Sequence, residues 1–277
     1  MAEQLVRYDN RMNTLSLHEF TEREMNLFFA IVAKVKGKDD QEVEFTFDQL
    51  YRMTDNKKNI TSGEFKHELI SMNEKLMSLK YRYNIGSKSG IFILFPGFEV
   101  DEAAETLKVQ VNKKFTYLFN HLNAEFTQFE LREFVGLKGK YTKQLYRQLK
   151  QWRQVGTYSV PWDEFKQVMD IPNYKTRDIA KRVLDPSVNR INKLPGFADL
   201  RYEYSTRKKK VVRIVFHWTV VPDDYTRKYL GAYEGYEDED PEEKTVRMTD
   251  ASGAEYDQAA LDLGDELPFY GGEKNND

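Results

Sequence analysis

A basic segment, Lys175-Thr176-Arg177 continuing to Lys181-Arg182, precedes a run of four consecutive cations, Arg207-Lys208-Lys209-Lys210. At about 100° per residue on a helix, Ile179 and Val183 point one way. Tyr174, Arg177, Asp178 and Lys181 share the opposite stripe, with Arg182 at its edge. Arginine and lysine can donate to guanine N7 and O6 or to phosphate, and aspartate can accept from cytosine N4, so such a stripe suits base edges in a duplex groove. A solvated helix face is the plainer reading of the same stripe. The four cations at 207–210 repel one another unless counter-charge is near. Phosphates would supply it, and a solvated turn is again the plainer alternative.

Bond-breaking chemistry finds little to work with. There is no cysteine, so neither a disulfide framework nor a thiolate zinc site can form, and imidazole comes only from His18, His67, His121 and His217. A nicking enzyme built on paired histidines beside a nucleophilic tyrosine needs histidines two apart on one strand. His217 has no such neighbour, and with 17 tyrosines a lone tyrosine carries no meaning. Gly136-Leu137-Lys138-Gly139-Lys140-Tyr141-Thr142 has the wrong spacing for a P-loop, and its lysine is followed by tyrosine. The acidic pair Asp163-Glu164 diverges on a helix. The sequence therefore predicts no enzyme, no metal and no cofactor.

The elements that must carry the two basic groups can be read from periodicity. Thr157 to Val160 is a short strand, Pro161 opens a helix, Ile171-Pro172-Asn173 is a turn, and a second helix starts at Lys175. Asp185-Pro186 predicts a kink or a fresh helix start, because proline offers no amide to the carbonyl four residues back. Leu200, Tyr202 and Tyr204 alternate against Val212, Ile214, Phe216 and Trp218, giving a hairpin tipped by the four cations. This order is a helix-turn-helix followed by a β-wing, which can put one helix in the major groove and a charged loop on the neighbouring backbone.

The same order occurs earlier in the chain. Thr21-Glu22-Arg23-Glu24 and Thr46-Phe47-Asp48-Gln49 have capping-box spacing, the first opening a core helix with Met25, Phe28, Phe29, Val32 and Val35. Phe65, Leu69, Met72, Leu76 and Leu79 mark an amphipathic helix. Tyr81 to Ile85 and Ile91 to Phe95 flank Gly86-Ser87-Lys88-Ser89-Gly90 as a hairpin, and Leu107, Val109 and Val111 alternate in a third strand. A further helix over 139–154 would bury Tyr141, Leu145, Leu149 and Trp152 and leave Lys140, Lys143, Arg147 and Lys150 as a basic stripe, for phosphate contact or mere solubility.

The expected class is α+β, two tandem winged-helix domains with a disordered acidic C-terminal tail. The divisions are 1–124 with an N-terminal arm, 125–221, and 222–277. Residues 1–221 carry 37 basic and 28 acidic side chains, a net +9, and residues 222–277 carry 5 and 17, a net −12. A body of that sign attracts polyanions, and its tail can shield that surface or recruit something else. The longest apolar run, Leu27 to Ala33, is too short to span a bilayer, and the polar N-terminus lacks a secretory signal, so a cytoplasmic protein with no membrane partner is expected.

Three stretches together resemble the iteron-binding plasmid replication initiators of the Rep_3 (initiator RepB) family, especially those of theta-replicating plasmids from low-GC Gram-positive bacteria. They are Asn10-Arg11-Met12-Asn13-Thr14 with Phe20 to Phe29, Gly139 to Arg147, and Arg182-Val183-Leu184-Asp185-Pro186-Ser187-Val188-Asn189-Arg190-Ile191-Asn192. The resemblance covers roughly residues 5–220. It implies two winged-helix domains on short direct repeats of double-stranded origin DNA, origin opening by monomers, and dimers that repress their own promoter. It also implies a monomer-dimer equilibrium and recruitment of a host initiator and replicative helicase. Carried onto this chain, the second-domain readers would be Lys175, Thr176, Arg177, Lys181 and Arg182, with Arg207, Lys208, Lys209 and Lys210 on the backbone. In the first domain Thr61, Ser62, Lys66 and His67 would face DNA, with Lys88 on the hairpin. In the tail, Gln258, Leu261 and Leu263 look like a sliding-clamp-binding peptide, and Leu267 and Phe269 lie in a segment similar to the acidic tip of single-stranded-DNA-binding proteins. A repressor without replication activity and a metal-dependent nicking enzyme are the competing readings.

Overall fold

The computed structural model describes residues 4–15, 17, 19–54, 60–78, 81–85, 88–120, 122, 126–220, 244–249 and 255–260. Strand β1 (Leu5–Asp9) and a 3-10 turn at Asn10–Thr14 form the arm. Helix α1 (Glu22–Val35) starts at the expected capping box, with Thr21 accepting from the Glu24 amide and the Glu24 carboxylate accepting from that of Thr21. Its apolar residues are buried around almost the whole circumference, so α1 is a core helix.

The first module continues with β2 (Glu42–Thr46), α2 (Phe47–Met53), α3 (Ser62–Ser78), β3 (Tyr81–Ile85), β4 (Lys88–Phe92), β5 (Gly97–Asp101) and β6 (Thr106–Gln110). The second capping box also forms, between Thr46 and Gln49. Strands pair antiparallel in the order β2-β6-β5. The wing of this module is therefore β5–β6, turning through Glu102-Ala103-Ala104-Glu105. The expected hairpin at 81–95 exists as β3–β4, which among the described residues forms a separate two-stranded sheet. The physical reason is alternation: Leu107 and Val109 of β6 are buried between two neighbours, and Gly97 lets Gln110 approach so closely that a Cβ there would lie 2.9 Å from the Gln110 Cβ.

The second module runs through β7 (Phe126–Glu130), α4 (Leu131–Gly136), α5 (Lys140–Gln151), β8 (Thr157–Pro161), α6 (Trp162–Val168), α7 (Thr176–Ile179), a π turn at Ala180–Leu184, α8 (Asp185–Ile191), β9 (Arg201–Arg207) and β10 (Lys210–His217). Its sheet order, β8-β10-β9, repeats that of the first module. In both, the strand before the helix pair joins the last strand, and the last strand joins the middle one. Of the kink or fresh start expected at Asp185-Pro186, a new α-helical segment does begin at Asp185 with Pro186 in its first turn, but it follows the π turn without a break.

The arm crosses between the modules. β1 pairs antiparallel with β7, Tyr8 opposite Thr127. Tyr8, Phe28, Phe29, Phe129, Phe134 and Tyr146 form one aromatic cluster, with Phe29 4.7 Å from Phe134 and Phe129 5.4 Å from Tyr146, centroid to centroid. Such ring pairs contribute about 0.5–1.5 kcal/mol each beyond area burial.

In the acidic tail, β11 (Lys244–Thr249) and β12 (Glu255–Ala260) pair antiparallel, with Val246 opposite Gln258. Composition alone predicts no regular element there. In the sequence Lys244 and Arg247 are interposed between acidic runs, and Thr245, Val246 and Thr249 have strand propensity. The smaller of the chain's two compact units contains residues 82–90 and this hairpin; the larger contains both winged-helix modules.

Candidate nucleic-acid interface

The second module presents its cations as the stripe requires. Lys175, Arg177, Lys181 and Arg182 are exposed and Thr176 half-buried, while Ile179, Val183 and Leu184 are in the core. Tyr174 is exposed, and the Arg182 guanidinium lies 5.4 Å from its ring centroid. Stacking of that kind limits the rotamers of the arginine while leaving its planar donors available.

Arg207, Lys208, Lys209 and Lys210 are all exposed at the second wing's tip. Lys208 and Lys209 have φ of 49° and 64°. Two consecutive left-handed residues make the tight hairpin turn that matches strand twist, a turn usually given to Asn-Gly. Two lysines in this conformation cost on the order of 1–3 kcal/mol each, so the tip holds charge where turn stability favours other residues. Wing and helix are joined by the Tyr202 hydroxyl, which donates to Asp185 Oδ1 at 2.7 Å. Burial, then that hydrogen bond, pushes the Tyr202 hydroxyl above its ordinary range and keeps it a donor.

The first module's candidates are brought together differently. Thr61 and Glu64 close a capping box around the start of α3, with the Thr61 amide donating to Glu64 Oε2 at 2.7 Å and the Glu64 amide to Thr61 Oγ1 at 3.2 Å. The Thr61 amide, and after it the Thr61 hydroxyl donating to the same oxygen at 2.9 Å, hold the Glu64 carboxyl below its usual value. The Ser62 hydroxyl donates to Glu105, and Lys66 Nζ is 3.3 Å from Glu102 Oε2. Both carboxylates come from the β5–β6 wing. A Cβ at Gly63 would lie 3.1 Å from Glu102 Oε1, so a small residue there helps the wing come close. His67 is exposed. The side chain of Lys88 lies outside the described residues.

The α5 stripe is not a surface. Lys143 and Arg147 are fully buried and Lys150 is 8% exposed. Of the four cations in that stripe, Lys140 is the one left half-exposed, and its Nζ is 5.3 Å from the Tyr141 ring centroid. The face expected to be buried is itself mixed: Leu145 and Leu149 are in the core, but Trp152 is 39% exposed. The reason is position. Helix α5 packs against β7, β8, α1, α8 and the arm, so it has no solvent face through its middle.

Each buried cation has an internal task. Lys143 Nζ donates to the carbonyl oxygens of Phe134 and Val135 in the last turn of α4, where positive charge complements the helix dipole. Burial pushes its ammonium down to about 7. Lys150 Nζ pairs with Glu133 Oε2 at 2.8 Å. Arg147 donates to Tyr8 Oη at 3.1 Å, to Gln144 Oε1 at 2.7 Å and to the Met12 carbonyl, while Gln148 donates to the Asn13 carbonyl at 2.8 Å. The Gly139 to Arg147 stretch thus pins the arm to the second module.

Gln258 falls within β12, and Leu261, Leu263, Leu267 and Phe269 lie outside the described residues. Among the described residues no three His, Cys, Asp or Glu side chains gather as a metal site, and no helix is long and apolar enough to cross a membrane.

Residues 5–150 match the family described as Initiator Replication protein, WH1, and residues 161–218 match Initiator Rep protein, WH2. The chain belongs to this initiator replication protein family. The WH1 match spans the first module and continues through β7, α4 and α5, and the WH2 match runs from the start of α6 to the end of β10. This initiator is 32% identical over 219 residues to a protein of Bifidobacterium longum (strain NCC 2705) named probable replication protein rep, a match covering 78% of this chain and 73% of that one. Its fold is similar to that of the Pi initiator protein, solved in complex with iteron DNA, with a TM-score of 0.63 and 12% identity over 80% of this chain and all of that one.

Proposed function

We propose that this family member is a plasmid replication initiator that binds direct repeats at an origin as double-stranded DNA, opens the origin and recruits the host initiator and helicase. The observation that carries the reading is the second module's pair of exposed basic groups, the α7 to π-turn stripe and the 207–210 tip, joined through Tyr202 and Asp185. The helix reads bases, with Arg177, Lys181 and Arg182 as donors and Lys175 and Thr176 at its start; the wing grips phosphate. In the first module Thr61, Ser62, Lys66 and His67 form a weaker contact, because wing carboxylates already engage Ser62 and Lys66. Residues 1–124, 125–221 and 222–277 serve as first reader, second reader and partner-recruiting tail, with the sliding clamp one candidate for the last. Strand cleavage is left to other proteins, and the protein works in the cytoplasm as a monomer-dimer equilibrium in which the dimer represses its own promoter.

Binding to duplex DNA carrying the repeats that flank the gene, measured from 50 to 200 mM salt, tests the first step. About six to ten phosphate contacts would cost roughly 10³- to 10⁵-fold in affinity over that range. A salt-independent affinity would overturn the reading. Maintenance of a plasmid whose sole origin is those repeats separates an initiator from a repressor. Supercoiled repeat DNA incubated with magnesium or manganese should stay closed, and open circles would show a nicking activity.

A further inference from the structure

The second module's helix is not evenly wound. Within Ala180–Leu184 it adopts a π turn, and the Asp185 amide donates to the Ala180 carbonyl five residues back. The cause lies one residue on. Pro186 has no amide hydrogen and its ring crowds the carbonyl of Arg182, four residues earlier. A wider turn gives that carbonyl room.

On the inner side, Ile179, Val183, Ser187 and Ile191 are buried at intervals of four residues. In a regular α-helix each step of four overshoots a full turn by about 40°, and three steps accumulate about 120°. One end of the series would then leave the core. The π turn takes back part of that rotation, so all four stay inside, with Ser187 Oγ 3.3 Å from Thr142 Oγ1 on α5.

On the outer side the same rotation acts on the cations. Arg177 stands before the π turn, and Lys181 and Arg182 stand within it. Their relative angle differs from the one an unbroken α-helix would impose. Arg182 within the turn lies over Tyr174, and just after the turn Asp185 accepts from the Tyr202 hydroxyl.

We propose that this π turn, imposed by Pro186 and held by the Tyr202–Asp185 bond, sets the angular phase between Arg177 and the Lys181-Arg182 pair and so determines which bases the second module reads. Pro186 is then a positioning residue for specificity. The inference rests on the reading of this helix as the one in the major groove.

The experiment is selection of preferred sites from a randomised duplex library by the full-length protein, its Pro186→Ala variant and its Tyr202→Phe variant, with affinity for random duplex and melting temperature measured alongside. Alanine restores the amide that can donate to the Arg182 carbonyl. Pro186→Ala is expected to change base preference by about tenfold at two or more positions, with random-duplex affinity and melting temperature close to those of the parent. Tyr202→Phe is expected to shift the same positions by less. Should Pro186→Ala fail to fold, Tyr202→Phe decides alone. An unchanged preference in the folded variants, or an equal loss on every duplex, would overturn the proposal. A parent protein that shows no base preference would instead remove the DNA-reading assignment on which it rests.

Discussion

The two wings share a topology and have opposite chemistry. In the first module β5 and β6 turn through Glu102-Ala103-Ala104-Glu105, and both glutamates reach back to the start of α3, at Lys66 and Ser62. In the second, β9 and β10 turn through Lys208-Lys209, flanked by Arg207 and Lys210, and these cations face solvent. The same three-stranded order follows from apolar alternation on the strands, Leu107 and Val109 in one, Ile214 and Phe216 in the other. Nothing in that alternation constrains the tip. A winged-helix fold therefore leaves the charge of its wing open: here the first wing carries carboxylates that engage Ser62 and Lys66, and the second carries exposed cations.

The largest test asks whether cations differ by place as the wings do. Arg147→Ala should destabilise the protein by about 3–5 kcal/mol, since it leaves a cavity and strips donors from Tyr8, Gln144 and the Met12 carbonyl. Urea denaturation measures it, and a loss under 1 kcal/mol would return α5 to the surface. Arg177→Ala comes next. It should cost about 1–3 kcal/mol on the preferred repeat and little on random duplex, read by fluorescence anisotropy on both.

A smaller effect of two signs is expected at the second tip. Lys208→Asn with Lys209→Gly suits the left-handed turn, so stability should rise by about 1 kcal/mol or more. Binding to all duplexes should weaken, with the salt slope falling by about 1.8 for two lost phosphate contacts. Unchanged slope would mean that the tip does not touch DNA. At the first tip, Glu102→Gln with Glu105→Gln should strengthen binding to any duplex a few-fold, because it removes repulsion of phosphate and releases Lys66 and Ser62. A weakened interaction would show that these carboxylates position the reading helix.

A pH slope tests the same burial from another side. The unfolded chain holds the Lys143 proton to its ordinary value of 10.5, and the folded protein gives it up near 7 because burial penalises the charged form. Between those values the unfolded state binds more protons, so stability rises with pH over the window, and below about 7 the full cost is present. Lys143→Met should flatten the rise measured by denaturation between about pH 7 and about pH 9. A parent whose stability does not rise there would contradict the buried ammonium.

The comparison also shows where sequence reading succeeds. Capping boxes at Thr21 and Thr46 are legible because a local hydroxyl-carboxylate or hydroxyl-amide spacing fixes them. The second wing is legible because its apolar alternation and its cations are contiguous. The first wing has the same alternation in Phe98, Val100, Leu107 and Val109, but Gly86-Ser87-Lys88-Ser89-Gly90 is the stronger local turn signal and draws the reading to β3–β4. The exposed cations of the second module were visible as a stripe of charge opposite Ile179 and Val183. The π turn was not: proline signals trouble for the helix without saying whether it breaks, kinks or widens.

By itself the sequence determined the class of fold, the helix-turn-helix and wing of the second module, the basic body and acidic tail, and the cations of 175–182 and 207–210, since each depends on residues near one another in the chain. Tertiary structure decided which cations are surface and which are core. Lys143, Arg147 and Lys150 have the same spacing as a solvent-facing stripe, and only the packing of the arm, α4 and β7 around α5 turns them inward, where carbonyls and Glu133 take the place of water. It also decided the partner of each wing tip, because the neighbours of Glu102 and Glu105 are more than thirty residues away in the chain and periodicity has no term for contacts at that range.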